Sequence, residues 1–143
     1  MLELTTHLVL VIGITLIAIL IHYECLNQLN IAMVRLDAPP RVRILGGVVV
    51  ALFAHSVEVM VFALGYYLAG KLGHGELTGA FQGEIADYIY FSYTTFTTVG
   101  YGDIVATDRM RLLVGIESLT GFVLITWTAS FLYLEMSRFW SSR

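Results

Sequence analysis

Three long apolar runs decide what this chain can fold into. They are roughly Leu8 to Leu26 (LVLVIGITLIAILIHYECL), Ile44 to Ala69 (ILGGVVVALFAHSVEVMVFALGYYLA) and Leu112 to Leu134 (LLVGIESLTGFVLITWTASFLYL). A helix needs about 20 mostly apolar residues to cross a bilayer, and each run meets that length. Composition agrees, because 57% of the residues are hydrophobic and only 13% are charged. The reading is an all-α membrane protein with three transmembrane helices in a lipid bilayer. At ~1.5 Å per residue the second run extends ~39 Å, so it is expected to tilt or protrude. The net charge of −3 and the lack of a basic run give nucleic-acid binding no support. The single cysteine, Cys25, cannot close an intrachain disulfide and reads as a small buried apolar residue. Glu3, with no early Lys or Arg, argues against a cleaved secretory signal.

The segments between the runs carry the rest. In NQLNIAMVRLDAPPRVR, Pro39 and Pro40 are expected to stop any helix coming from the first run. The stretch GKLGHGELTGAFQGE is Gly-rich and polar, and reads as a loop. IADYIYFSYTTFTT follows it, apolar and aromatic but too short to span. Twelve helical residues cover ~18 Å, about half a bilayer, so this is expected to be a re-entrant helix. Arg35, Arg41 and Arg43 cluster between the first two runs, and Arg138 and Arg143 follow the third; Lys71, Arg109 and Arg111 lie on the opposite side. Positive charge next to span ends favours the cytoplasm. The N-terminus is therefore expected outside a cell membrane and the C-terminus in the cytoplasm. Tyr66 and Tyr67 fit an outer aromatic belt, and Phe139 and Trp140 an inner one.

Directly after the half-depth helix stands TTFTTVGYGD, Thr94 to Asp103. Irregular backbone at membrane depth is tolerated only where protein buries it or it lines water. Gly100 and Gly102 alternate, and glycine enters φ > 0 conformations without a Cβ penalty. An alternating hand would turn successive carbonyls to the same side. Four copies around an axis would stack rings of carbonyl oxygens able to replace a cation's hydration shell. The Thr98 hydroxyl would add one ring below, and Asp103 a carboxylate ring at the mouth. The short helix would aim its negative C-terminal end at the axis.

TTVGYGD resembles the potassium-channel selectivity signature. The order of span, short helix, signature and span looks like the pore domain of that family. Over about Ile44 to Leu134 the chain further resembles small bacterial two-span channels, with AHSVEVMVFALGYY before the signature and GIESLTGF after it. The resemblance implies residues 1–43 as an added N-terminal helix and cytoplasmic linker. It implies 44–136 as a pore domain of outer helix, pore helix, filter and inner helix, and 137–143 as a short tail. Thr98, Val99, Gly100, Tyr101 and Gly102 would line the filter, with K⁺ at Thr98, Val99, Gly100 and Tyr101. Tyr90, Phe91, Thr94 and Thr97 would support it. Gly121 falls near the family's hinge glycine, and Phe122, Ile125, Ala129 and Tyr133 share a face expected to line the lower pore. One pore loop per chain implies a homotetramer. The permeant K⁺ is the only ion expected, with no cofactor.

This chain departs from familiar members in places. Thr94 stands where some relatives carry a glutamate that pairs with the filter aspartate. Tyr90 and Phe91 stand where some carry two tryptophans, and Phe91 cannot donate a hydrogen bond. GDIVATD follows without the proline many have. These changes leave selectivity intact in principle and bear on filter rigidity. No arginine-rich voltage sensor is present, and no cytoplasmic ligand-binding domain is expected after the third run.

Ionisable residues inside spans are costly and are functional candidates. His55 and Glu58 lie at i, i+3 on one face. They read either as a proton- or metal-sensitive switch or as a hydrogen-bonded pair tying the outer helix to the inner or pore helix. Glu117 is expected to brace the pore helix, and Asp87 to cap it. His22 and Glu24 are expected at the interface, and Trp127 in packing. The function read from all this is a passive, potassium-selective channel and not an enzyme. The rivals are a weakly selective cation channel, a non-conducting membrane subunit, and a membrane metalloenzyme on His55 and Glu58. The last needs further ligands, and Glu117 is the only other deep acid.

Overall fold

A computed structural model of the chain describes residues 1–140. The order is α1 (Leu2–Arg35), α2 (Pro40–Lys71), β1 (Leu77–Gly79), α3 (Ile85–Phe96), β2 (Ile104–Ala106) and α4 (Met110–Trp140). α1, α2 and α4 are each long and apolar enough to cross a membrane. α3 is the short helix expected between the second and third spans. The proposed inner belt at Phe139 and Trp140 and the tail residue Arg143 lie outside the described side chains and residues.

The linker after the first run is mostly helical, contrary to expectation. α1 continues to Arg35 because Leu26, Leu29 and Met33 repeat at helical spacing and bury one face. That face packs on Phe131 and Leu132 of α4. As expected, α1 does not run into the prolines: it ends at Leu36, which turns extended while its N–H still reaches Ala32 O. Pro39 and Pro40 also start α2, where a missing N–H has no helical partner to lose.

α2 runs back along α1, since Gly65 faces Ile14 and Gly47 faces Met33. In lipid, helix association rests on close packing, so such small residues at crossings carry weight. α4 runs parallel to α1, with Met110 N–H on His74 O at its start and Leu132 beside Gly47 near its end. The N-terminus, the 72–84 segment and the start of α4 therefore share one end of the bundle. There Arg109 Nη1 meets Glu3 Oε2 at 2.9 Å. Phe62, Tyr66, Phe96, Leu113 and Leu124 are fully buried where α2, α3 and α4 meet, and Val11, Ile14 and Ala18 join them from α1.

The segment read as a plain loop also carries a strand. β1 pairs antiparallel with β2, placing Leu77 opposite Ala106 and Gly79 opposite Ile104. Gly79 has φ +95°, and a Cβ there would sit 2.2 Å from the Asp103 carbonyl oxygen. This ribbon joins the stretch before α3 to the residues just past the turn that follows α3.

Candidate functional site

α3 is held at its start by a capping box. The Glu84 side chain accepts the Asp87 backbone N–H, and Asp87 Oδ2 accepts Glu84 N–H at 3.2 Å and Gln82 N–H at 2.8 Å. Asp87 thus caps from the third helical position, while Glu84 occupies the cap itself. At the other end the chain leaves the helix through Thr97, whose hydroxyl donates to Tyr93 O at 2.6 Å. Gly100 N–H then reaches back to Thr94 O at 3.0 Å.

From here every second residue is left-handed: Thr98 has φ +60°, Gly100 +52° and Gly102 +82°. Glycine spacing alone foretold the last two. Thr98 is missed by it, and a non-glycine residue in this region costs about 1–3 kcal/mol unless its surroundings impose it. The two sets of residues border different spaces. Val99 and Tyr101, both exposed, line a hollow with Tyr90, Tyr93 and Thr97. Thr98, Gly100 and Gly102 border another, with Arg111, Gly115 and Ser118 of α4.

Tyr90, Phe91 and Thr94, expected as support for the 98–102 segment, each hold it or the helix before it in a different way. Tyr90 Oη donates to Asp103 Oδ2 at 2.8 Å. The aspartate therefore has a partner on α3 without a glutamate at position 94. That bond holds the Tyr90 phenol above its ordinary value. Thr94 contributes its carbonyl, and its hydroxyl bonds within the helix to Phe91 O at 3.0 Å. Phe91 is buried edge-on against Tyr66, ring centroids 4.9 Å apart. Behind α3, Glu117 accepts from the Tyr66 hydroxyl and is bonded to Ser92 Oγ. Ser92 Oγ also lies 2.8 Å from Val59 O. One buried carboxyl thus joins α2, α3 and α4. Gly121 lies under the end of α3, where a Cβ would be 2.1 Å from Phe96 O.

Phe122, Ile125, Ala129 and Tyr133 are all exposed on α4, so their own chain does not cover that face. His55 and Glu58 do pair, Nδ1 to Oε2 at 2.8 Å. Glu58 Oε1 lies 2.9 Å from His22 Nδ1. His22 is 1% exposed and so is not interfacial; the interior of the bundle holds it. The pair ties α2 to α1, and to α4 through Thr128 Oγ1, 3.2 Å from His55 Nε2. No sequence signal linked His22 to Glu58, because 36 residues separate them and only the antiparallel return of α2 brings them together.

A family model described as "Ion channel" matches residues 54–137, more than half of the chain. The match runs from the middle of α2 through the 98–102 segment of alternating hand into the last turns of α4, and α1 lies outside it. No curated protein and no solved structure matches.

Proposed function

Because the chain belongs to the ion channel family, and is thereby a channel rather than an enzyme, we propose that it conducts potassium ions passively and selectively. The observation that carries the reading is the left-handed conformation at Thr98, Gly100 and Gly102 within TVGYG. Alternation of hand along a strand brings successive carbonyls toward one side, the arrangement a dehydrated cation requires. The filter is Thr98 to Gly102, with Asp103 at the mouth. Four chains surround one axis, and no cofactor takes part in conduction.

Several features support this assembly. One chain supplies one strand of the filter, and a ring needs several. The α4 face bearing Phe122, Ile125, Ala129 and Tyr133 is left uncovered. Val99 and Tyr101 are exposed in a single chain, as side chains awaiting a neighbour would be. The arginines at 35, 41, 43 and 138 sit at the bundle end away from the filter. The filter end accordingly faces outward and the C-terminus the cytoplasm.

The test is reversal potential in reconstituted bilayers under opposed K⁺ and Na⁺ gradients. The expected result is a reversal close to the K⁺ equilibrium potential and loss of current in Gly100→Asp. Equal permeability to both ions would assign the chain to weakly selective cation channels. Unchanged current in Gly100→Asp would remove the strand from the pathway.

A further inference from the structure

We propose that His22, His55 and Glu58 form a binding site for a divalent transition metal of the zinc class. The site joins the N-terminal helix to the ion channel region. It is independent of which ion the pore selects, and it adds His22 from another helix to the pair that the sequence left open as metal-sensitive.

Convergence of donors is the first argument. The three residues come from two antiparallel helices, and one ligand atom from each lies within 4.8 Å of the others. Both imidazoles present the same nitrogen, Nδ1, to the one carboxylate, at 2.9 and 2.8 Å. Metal–nitrogen bonds of 2.0–2.1 Å place neighbouring ligand atoms of a tetrahedral centre about 3.3 Å apart. The cluster therefore needs a contraction of about an ångström and a half at its widest pair, within reach of side-chain rotation. Two imidazole nitrogens and one carboxylate suit zinc, cobalt or nickel. Calcium and magnesium prefer oxygen ligands and are disfavoured.

Electrostatics is the second. Glu58 is 0% exposed in the middle of a spanning helix. A carboxylate there is costly unless a positive partner offsets it. The groups bonded to it are His22 and His55, and no Lys or Arg is paired with it among the described residues. A dication between these three donors supplies that charge without requiring either ring to carry an extra proton.

The surroundings are the third. Metal-bound histidines commonly donate their other ring nitrogen to a fixed acceptor. His55 Nε2 has Thr128 Oγ1 at 3.2 Å for this. Trp127 and Phe96 form the apolar wall, ring centroids 5.3 Å from His22 and 5.8 Å from His55. The side chain of His55 keeps 16% exposure, so the cluster is not sealed on that side within one chain. Phe96 is the last residue of α3, so the bound ion would pin α1, α2 and α4 at the level where the filter begins.

The test is Co²⁺ titration of the chelator-stripped, full-length protein in detergent. Wild type should develop the visible d–d absorption of a low-coordinate Co²⁺ centre at one ion per chain, and Zn²⁺ should bleach it. His22→Asn keeps a hydrogen-bond donor for Glu58 but no imidazole, and should bind Co²⁺ at least ~10-fold more weakly. His55→Gln should do the same and serves if the first variant does not fold. No absorption in wild type up to millimolar Co²⁺ overturns the site. So does absorption of equal strength in either folded variant. K⁺/Na⁺ reversal potentials are read separately, so failure here leaves the proposed conduction standing.

Discussion

At the scale of residues, the support behind the proposed filter rests on a few hydroxyls and one glycine. Glu117 is fully buried, with Tyr66 and Ser92 bonded to it. Glu117→Gln offers both an acceptor and a donor in the same place and should be well tolerated. Glu117→Ala leaves two buried hydroxyls without that partner, at about 1–3 kcal/mol each. Thermal unfolding in detergent checks the contrast; equal loss in both variants would show that charge, not bonding, is what Glu117 supplies. Gly121 invites a second experiment. A Cβ 2.1 Å from a backbone oxygen forces α4 away from α3, so Gly121→Ala should cost about 1–3 kcal/mol. If it kept full stability and altered only opening, the family's hinge role would describe it better than close packing does. Tyr90 offers a third. Its phenol sits above its ordinary value because it bonds to Asp103. A raised value in the folded form means the bond contributes at and below the ordinary tyrosine range and is lost only as pH rises through the raised value. Tyr90→Phe should therefore shorten channel openings at neutral pH, measured as single-channel dwell times. Unaltered dwell times would mean that Asp103 does not depend on this tie.

At the scale of elements, hydropathy made the three spans legible, and the φ > 0 demand of Gly100 and Gly102 made the strand between them legible. What it could not give were boundaries and partners. Asn27, Gln28 and Asn30 are polar, and they masked the Leu26, Leu29, Met33 stripe that carries α1 onward to Arg35. No helix passes Pro39 and Pro40, but that they also begin α2 was not legible, because a proline that ends one helix and one that begins the next look alike until the turn before them is seen. The three-residue strands β1 and β2 are too short for a period-two pattern. Their only trace was glycine. Gly79 is required both by φ +95° and by the nearby Asp103 carbonyl. Gly79→Ala should therefore loosen the ribbon and with it the strand's outer end, costing about 1–3 kcal/mol. Faster amide exchange at 103–106 than in wild type would show it; equal exchange would mean the ribbon does not anchor Asp103. His22 escaped the sequence for a related reason. A histidine beside Tyr23 and Glu24 near the end of an apolar run looks interfacial, and only helix packing reveals that it faces Glu58.

At the scale of the whole molecule, the argument turns on surfaces a single chain leaves open. Val99 and Tyr101 are 54% and 72% exposed beside the strand, and Phe122 and Tyr133 on α4 are 59% and 67% exposed. An apolar side chain on α4 is satisfied equally by lipid or by a neighbouring subunit. Val99 and Tyr101 are different, because they flank irregular backbone, which lipid does not tolerate. In the proposed assembly, neighbouring chains around an axis would resolve both demands at once, burying the flanks of the 98–102 segment while leaving its carbonyls to the ions. This predicts a specific dose response. If Gly100→Asp in one subunit blocks the shared filter, equal co-expression of mutant and wild type leaves only all-wild-type assemblies conducting. With random mixing of four subunits that fraction is about one-sixteenth, whereas a dimer would leave about one-quarter. Macroscopic current normalised to total surface protein separates the two. A residual near one-half would mean that each chain conducts alone, and the exposed flanks of the filter would then need some other cover.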